Sequence, residues 1–325
     1  MIRSPSLIAR LVAGIALTAL SLAAAAQGFP SRPITFIWPF QAGSQNGEAM
    51  RVMATEAGKF LGQPVITEFR GGAGSRLGVL AMPTATPDGY VIGAALDAIL
   101  VVTPMASKSF KFEPPKDYAP IAVVAETYSL LAGHPSLSFR DVKGLVAYAR
   151  ANPGTLNYAS PGVGGNSHLY FERFQILTGI QLTHIPYKGS AASLPDRLNG
   201  RIHIAMGGQD GKPLIDSGKL VAIATTGPVR ERLYPDTPTL AETYPGMLFK
   251  GWVGIFAPPR TPPDTVAKLN AALNASLKTP QVRKTMEDAF WRVVDNSGPE
   301  EFMTRYKADT DTYGPMVRKL GLELE

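Results

Sequence analysis

The chain has 325 residues, 45% of them apolar, no cysteine, and a formal charge of +6. That length suffices for two domains with cores of their own. The missing cysteine excludes disulfide stapling and a lipid anchor on an N-terminal cysteine. The basic residues are scattered, without a run or aromatic interleaving, a distribution that speaks against nucleic acid as a partner and suits a small anion.

Residues 1–26 read as a secretory signal peptide. Arg3 and Arg10 form a basic start, residues 11–22 are apolar but too short to span a bilayer, and Ala24-Ala25-Ala26 offers a small-residue cleavage site. The rival reading, an uncleaved anchor, lacks the basic stop-transfer flank. Cleavage would leave a periplasmic chain starting at Gln27, with a formal charge of +4. No later stretch reaches membrane-spanning length without charge.

From there strand-like and helix-like stretches alternate, which predicts an α/β fold with mainly parallel sheets. Strands are expected at 34–39, 65–69 and 90–96, with helices at 48–61 and 77–82 between them. The apolar run 121–132 reads as one strand crossing into a second domain. Asp141 or a near neighbour caps a helix over 142–151, which Asn152-Pro153-Gly154 ends. Strands follow at 156–159, 181–187, 202–206 and 220–225, with helices at 168–178 and 190–198. Residues 251–257 are apolar and aromatic and read as the crossing back. The tail is helical over 264–277, 280–290 and 299–320. The expected domains are therefore 27–127 with 251–325, and 128–250.

One pattern occurs three times: an apolar run stops, a short Gly- and Ser-rich turn follows, and a helical pattern begins. The segments are ITFIWPFQAGSQN (34–46), VITEFRGGAGSR (65–76) and LNYASPGVGGNSH (156–168). Each places bare backbone N–H groups at the open end of a helix, where partial positive charge suits an anion. A hydrogen bond to a charged group contributes about 1.5–3 kcal/mol, so three or four donors supply about 5–12 kcal/mol before association costs, a range that spans the roughly 8 kcal/mol of micromolar binding.

Enzyme motifs are absent. There is no G-x-S-x-G elbow and no phosphate-binding G-x-x-x-x-G-K-[ST], and residues 72–78 miss the dinucleotide fingerprint because Leu77 stands where its last glycine belongs. His134, His168, His184 and His203 form no strong metal pattern; His168 and Glu172, four apart, read as a helix-surface pair. Neither a cofactor nor a metal is expected.

Several segments, in this order, resemble a known family: FPSRPITFIWPF, PDGYVIG, KDYAPIA, NPGTLNYASPGVGGNSHLYFE, HIPYKGSAAS, GKLVAIATTGPVRERLYPDTPTLAE and GWVGIFAPPRTPPDTVAKLN. From Phe29 onward the chain is similar to the Bug-type extracytoplasmic solute receptors of tripartite tricarboxylate transporters. The resemblance implies a two-domain periplasmic-binding-protein-like (type II) α/β fold: two sheets flanked by helices, a ligand cleft and two crossing strands. It implies a monomer that delivers a small carboxylate, a dicarboxylate or an aromatic acid, to membrane permease subunits. A sensory receptor and a secreted hydrolase on a similar scaffold are the alternatives.

Carried over, the first ligand loop contributes Phe40, Ala42, Ser44, Gln45 and Asn46, and the second Ala73, Gly74, Ser75 and Arg76. The second domain contributes Ser160, Gly164, Asn166, Ser167, Tyr187 and Gly208. Several of these read two ways. Arg76 is either a carboxylate partner or a solvated residue of a first helical turn. One of Ser160, Asn166 and Ser167 could be a plain N-cap. Tyr187 either closes over the ligand or packs in the core. Phe40 at the turn is the better stacking ring, with Trp38 reading as core. The chain departs from the family where Gly47 replaces a common Asp and where Gly207-Gly208-Gln209 replaces an acidic position. With Arg76 gained, these departures point to a ligand with more negative charge or a bulkier body.

Overall fold

The structure, a computed structural model, describes residues 28–72, 75–114, 116–187, 189–207 and 211–323. The signal segment lies outside the described residues. The chain first lays down β1 (Ile34–Trp38), α1 (Gln45–Leu61), β2 (Val65–Phe69), α2 (Arg76–Val79) and β3 (Val91–Leu96). A π-helical turn (Ala98–Val102) runs into α3 (Thr103–Ala106), and β4 (Ala119–Thr127) completes this visit. The second part comprises β5 (Leu130–Gly133), α4 (Val142–Ala151), β6 (Asn157–Ser160), α5 (Asn166–Thr178) and β7 (Thr183–Pro186). It continues with α6 (Leu194–Leu198), β8 (Ile204–Gly207), α7 (Lys212–Asp216), β9 (Val221–Thr225) and α8 (Leu240–Thr243). The chain then returns through β10 (Gly251–Ala257), α9 (Pro263–Leu277), α10 (Pro280–Asp288), β11 (Trp291–Val293) and α11 (Pro299–Leu320).

Local chemistry sets these boundaries. The Ser44 side chain accepts from Gly47 N at the start of α1, and Gly62 ends it in the left-handed region. Asp141 caps α4 by accepting from Gly144 N. α11 starts at Pro299 with Glu300 and Glu301 in its first turn and finishes with Arg318 and Lys319, each charge placed to suit the helix dipole.

Two sheets result, ordered β11-β4-β10-β3-β1-β2 and β7-β6-β8-β5-β9. They are mixed, which corrects the expectation of mainly parallel pairing. β1 is parallel to β2 and β3, and β6 is parallel to β7 and β8. β10 is antiparallel to β3 and β4, β11 to β4, and β5 to β8 and β9. A strand that enters or leaves a sheet on the way to another need not keep the direction imposed by helical crossovers.

The crossings also differ from expectation. The run 121–132 breaks after Thr127: β4 stays in the first sheet and β5 opens in the second. The junction is held by Tyr128 N donating to Phe290 O and Ser129 N donating to Thr226 Oγ1. β10 lies wholly in the first sheet, so the return is made by residues 226–250. The first sheet is covered on both faces. Phe36 and Trp38 pack with Met50, Met53, Leu269 and Met286 on one side. Ile37 packs with Phe110, Phe112, Tyr118 and Phe302 on the other, as strand alternation requires. The second sheet has its own core around Leu145, Tyr158, Phe171, Phe174, Ile204 and Phe249.

Candidate functional site

The first two turns lie side by side because β1 and β2 are parallel neighbours that end together, with Trp38 opposite Phe69. They are packed to contact: a Cβ on Gly71 would come within 2.9 Å of the Gln41 backbone nitrogen, and one on Gly78 within 2.9 Å of Pro39 Cα. In the first turn Ala42, Ser44, Gln45 and Asn46 are exposed. Phe40 is half-buried, its ring 4.9 Å from that of Trp38, which is core. The Ser44 hydroxyl is the cap of α1, so its accepting capacity is turned to Gly47 N at 3.1 Å.

The second turn stores strain. Ser75 sits at φ +72°, a left-handed conformation that costs a residue with a side chain about 1–3 kcal/mol and concentrates at functional sites. Arg76, half-buried, opens α2. That helix has only four residues, so its dipole is slight, and the helix-end argument applies to α1 and α5 instead. Ala73, Gly74 and Gly208 lie outside the described residues.

The third turn rests on a buried polar stack. Gly164 N donates to His168 Nδ1 at 3.1 Å, and Ser160 Oγ lies 2.7 Å from His184 Nε2 while donating to Gly162 O at 2.8 Å. The two imidazoles stack at 4.2 Å, and Tyr158 OH donates to Glu172 Oε1 at 2.7 Å beside them. Burial pushes both histidines down to about 4, so both are neutral at pH 7. Because His168 Nδ1 accepts, its proton belongs on Nε2, which faces Glu172 at 3.8 Å. The expected helix-surface pair is therefore the buried support of the turn. His184 had no local signal; it comes from β7 and meets the turn only in the fold.

None of the three expected caps is the N-cap of α5. Gly165 takes that place, and no side chain caps the first turn. Helix geometry leaves the first N–H groups without intrahelical partners. Ser167 instead donates to Met206 O at 3.0 Å, tying α5 to β8, and Asn166 Nδ2 donates to Asp97 Oδ1 at 3.0 Å. Tyr187 N donates to Ser160 O, and the Tyr187 hydroxyl donates to Asp196 at 2.7 Å.

The Asn166–Asp97 bond locates the halves relative to each other. Asp97 follows β3, the parallel neighbour of β1, so α5 of the second sheet starts at the carboxyl edge of the first. The junction is tight: a Cβ on Gly251 would fall within 2.8 Å of Thr127 Oγ1, Asn166 Nδ2 and Asp97 Oδ1. Burial, and next the Asp309 carboxylate, push the pKa of Asp97 up to about 7 despite its hydrogen bonds. Asp309 in turn accepts from Trp252 Nε1 at 2.6 Å. Beside the third turn, at the carboxyl ends of β6 and β8, the second sheet carries a small cavity bordered by Ser160, Ser190, Ser193, Arg197 and Gly207. Sequence reasoning missed Asp97, whose part in the junction depends on Asn166 from the other sheet.

The sequence profile described as the tripartite tricarboxylate transporter family receptor matches residues 49–322. The chain belongs to that family. It is a family of solute-binding receptors and not of enzymes. A Cupriavidus necator relative, the UPF0065 protein in the gbd 5' region, is 33% identical over 279 residues, covering 86% of this chain and 85% of the relative. Protein BugT of Bordetella pertussis (strain Tohama I) is 32% identical, with 83% and 85% covered. Among solved structures, the periplasmic binding protein BugD is 30% identical with a TM-score of 0.77, covering 91% of this chain and 99% of that one. Rpa4515 of R. palustris with adipate is 26% identical with a TM-score of 0.80, covering 91% and 99%. MatC of Rhodopseudomonas palustris with bound malate is 27% identical with a TM-score of 0.75, covering 89% and 100%. As in the receptors it resembles, two α/β sheets flanked by helices form the molecule. Among the described residues no helix is long and apolar enough to cross a membrane.

Proposed function

We propose that this receptor, exported by a signal peptide cleaved after Ala26, captures a small carboxylate in the periplasm and delivers it to the permease subunits of a tripartite transporter. It acts as a monomer of two domains, 27–127 with 251–325 and 128–250. The ligand lies in the cleft between them. The observation that carries this reading is the meeting of donor-rich turns at one edge: those after β1 and β2 in contact, and the uncapped start of α5 brought to the neighbouring strand end by the Asn166–Asp97 bond. Ligands in open α/β sheets bind outside the carboxyl ends of parallel strands, which is where these turns lie. The donors are backbone groups, the first turn of α5 adds the favourable end of a 13-residue helix, and Phe40 offers a ring for the ligand body.

Two solved relatives support the ligand class, since Rpa4515 holds adipate and MatC holds malate, both dicarboxylates. Of the side chains named for the site, Ser160 and Ser44 act through the backbone they position, since their hydroxyls are engaged in the turns themselves. A thermal-shift screen against dicarboxylates and aromatic acids tests the reading, because a ligand that binds only the folded state raises the midpoint. At least one acid should raise it in a saturable, concentration-dependent way. A panel of such acids at millimolar concentration that left the midpoint unmoved would refute the proposal.

A further inference from the structure

Building on the carboxylate-receptor reading, we propose that His168 is the positioning residue of the third ligand turn: its Nδ1 holds Gly164 N in place, and carboxylate affinity depends on that imidazole being present and uncharged. The start of the turn is tied down, since Tyr187 N donates to Ser160 O and Gly189 N to Pro161 O. Its end is Gly165, the cap of α5, which has no side chain to fasten it. Between them Gly164 lies at φ +77°, a conformation that glycine enters and leaves without steric cost. Gly164 is buried, so its N–H needs an acceptor, and the His168 ring supplies one at 3.1 Å. His168 is the third residue of α5 and reaches back over the helix start, as the glutamate of a capping box does. A serine or aspartate at the cap would itself accept from the first-turn N–H groups; the histidine fastens the turn and leaves those donors to the ligand.

The protons single out His168 from its stacked neighbour. The Ser160 hydroxyl gives its one proton to Gly162 O at 2.8 Å, so His184 Nε2, 2.7 Å away, is the donor of that pair. A second proton on His184 would go to Nδ1 and leave the bond to Ser160 intact. On His168 the second proton would also go to Nδ1, where it would face the Gly164 N–H, and two donors make no hydrogen bond. The groups facing the pair are Glu172 of α5, 3.8 Å from His168 Nε2, and Tyr158 of β6, whose ring stacks on His184 at 4.8 Å. Glu172 is engaged by Tyr158 OH at 2.7 Å and Gln175 Nε2 at 2.9 Å. Burial lowers His168 to about 4, and burial together with His168 lowers His184 to about 4. The turn is therefore held across the neutral range and released in acid.

The test is isothermal titration of the mature chain with adipate, malate and benzoate, on wild type, His168→Leu and His168→Asn, with circular dichroism confirming the fold of each. Leucine fills the space without an acceptor, and asparagine places an oxygen where Nδ1 stands. At pH 7 His168→Leu should weaken the acids that bind wild type by at least about tenfold, the scale of a buried donor left unpaired, and His168→Asn should stay within about threefold. From pH 7 to 4 the affinity of wild type should fall about twofold relative to that of His168→Asn, because near pH 4 about half of the wild-type protein carries the extra proton, while the titration of the acid itself is common to both. A folded His168→Leu protein with wild-type affinity would overturn the inference and leave the receptor reading intact. So would a folded His168→Asn protein as weak as the leucine variant, or a ratio that stays flat with pH. Nitrogen-15 imidazole spectra of wild type at pH 7 need no variant: they should show His168 with a bare Nδ1, and a protonated Nδ1 there would also overturn the inference. Failure of every acid to bind wild type would overturn the receptor reading and this inference with it.

Discussion

Replacing Glu126 by glutamine should loosen the junction where the chain passes between the sheets. Glu126 lies near the end of β4 and accepts from the Tyr128 hydroxyl, from Lys250 Nζ at 2.9 Å and from Arg305 Nη1 at 2.7 Å. These donors come from the crossing itself, from the edge of β10 and from α11. Burial favours the neutral carboxyl, but the hydroxyl and the two cations outweigh it and hold the pKa down to about 2 from 4.5. At about 1.4 kcal/mol per unit the shift corresponds to roughly 3 kcal/mol, and solvent screening of the exposed Lys250 reduces this to about 2. A depressed folded-state pKa contributes stability that is fully present above the unfolded value near 4.5 and is lost as pH falls toward 2. Scanning calorimetry at pH 7 should therefore show Glu126→Gln melting about 3 °C below wild type, since about 300 residues at about 2 cal/mol/K each spread about 2 kcal/mol over a large unfolding entropy. The two curves should converge by about pH 2.5. An unchanged gap at both pH values would refute the assignment of the effect to this charge cluster.

Gly78→Ala should weaken carboxylate binding at least tenfold in a folded protein, since the added methyl would meet Pro39 Cβ at 2.8 Å and force the two ligand turns apart; wild-type affinity by calorimetry would contradict this. Asp97→Asn should flatten the pH dependence of stability between about pH 4 and 7. The raised folded-state pKa of Asp97 contributes stability that is complete below its unfolded value near 3.8 and lost as pH rises through about 7, and asparagine has no such loss; identical melting profiles would argue against it. N-terminal sequencing of exported protein should begin at Gln27, and a start at Met1 would rule out the cleaved signal. Small-angle scattering should show a smaller radius of gyration with saturating ligand than without, through bending near 128–129 and within the returning stretch 226–250; an unchanged radius from a demonstrably open ligand-free form would rule out closure.

Much of the scaffold was legible because it obeys short-range rules. β2, β10, α4 and α11 fall at their expected bounds, set by apolar runs, by the Asp141 cap, and by Pro299 and Gly321 at the helix ends. α1 starts three residues before its expected bound, since Gln45 and Asn46 join the helix as soon as Ser44 caps it. What escaped depended on distant chain. The three-residue strand β11 is too short to show a period, and it follows Phe290 at φ +59°, where the expected helix over 280–290 had to stop. The break inside 121–132 is fixed by Phe290 and Thr226, neither near it in sequence. At the site, the three glycine-rich turns announced themselves, because small residues beside an apolar run are a local signal. Their supports did not. His184 and Asp97 each acquire a role from a partner brought in by another segment. The α5 cap escaped for a related reason: Ser167 lies inside the first turn and donates its hydroxyl to Met206 O of β8, leaving Gly165 at the cap.

The central claim is that backbone donors from the turns grip a negative charge. Titration calorimetry of the mature protein with its tightest-binding acid, beside the neutral amide of the same acid, measures that grip directly. The amide should bind at least tenfold more weakly, because charge-assisted bonds to the donors are replaced by neutral ones. An amide that bound as tightly as the acid would contradict an anion site.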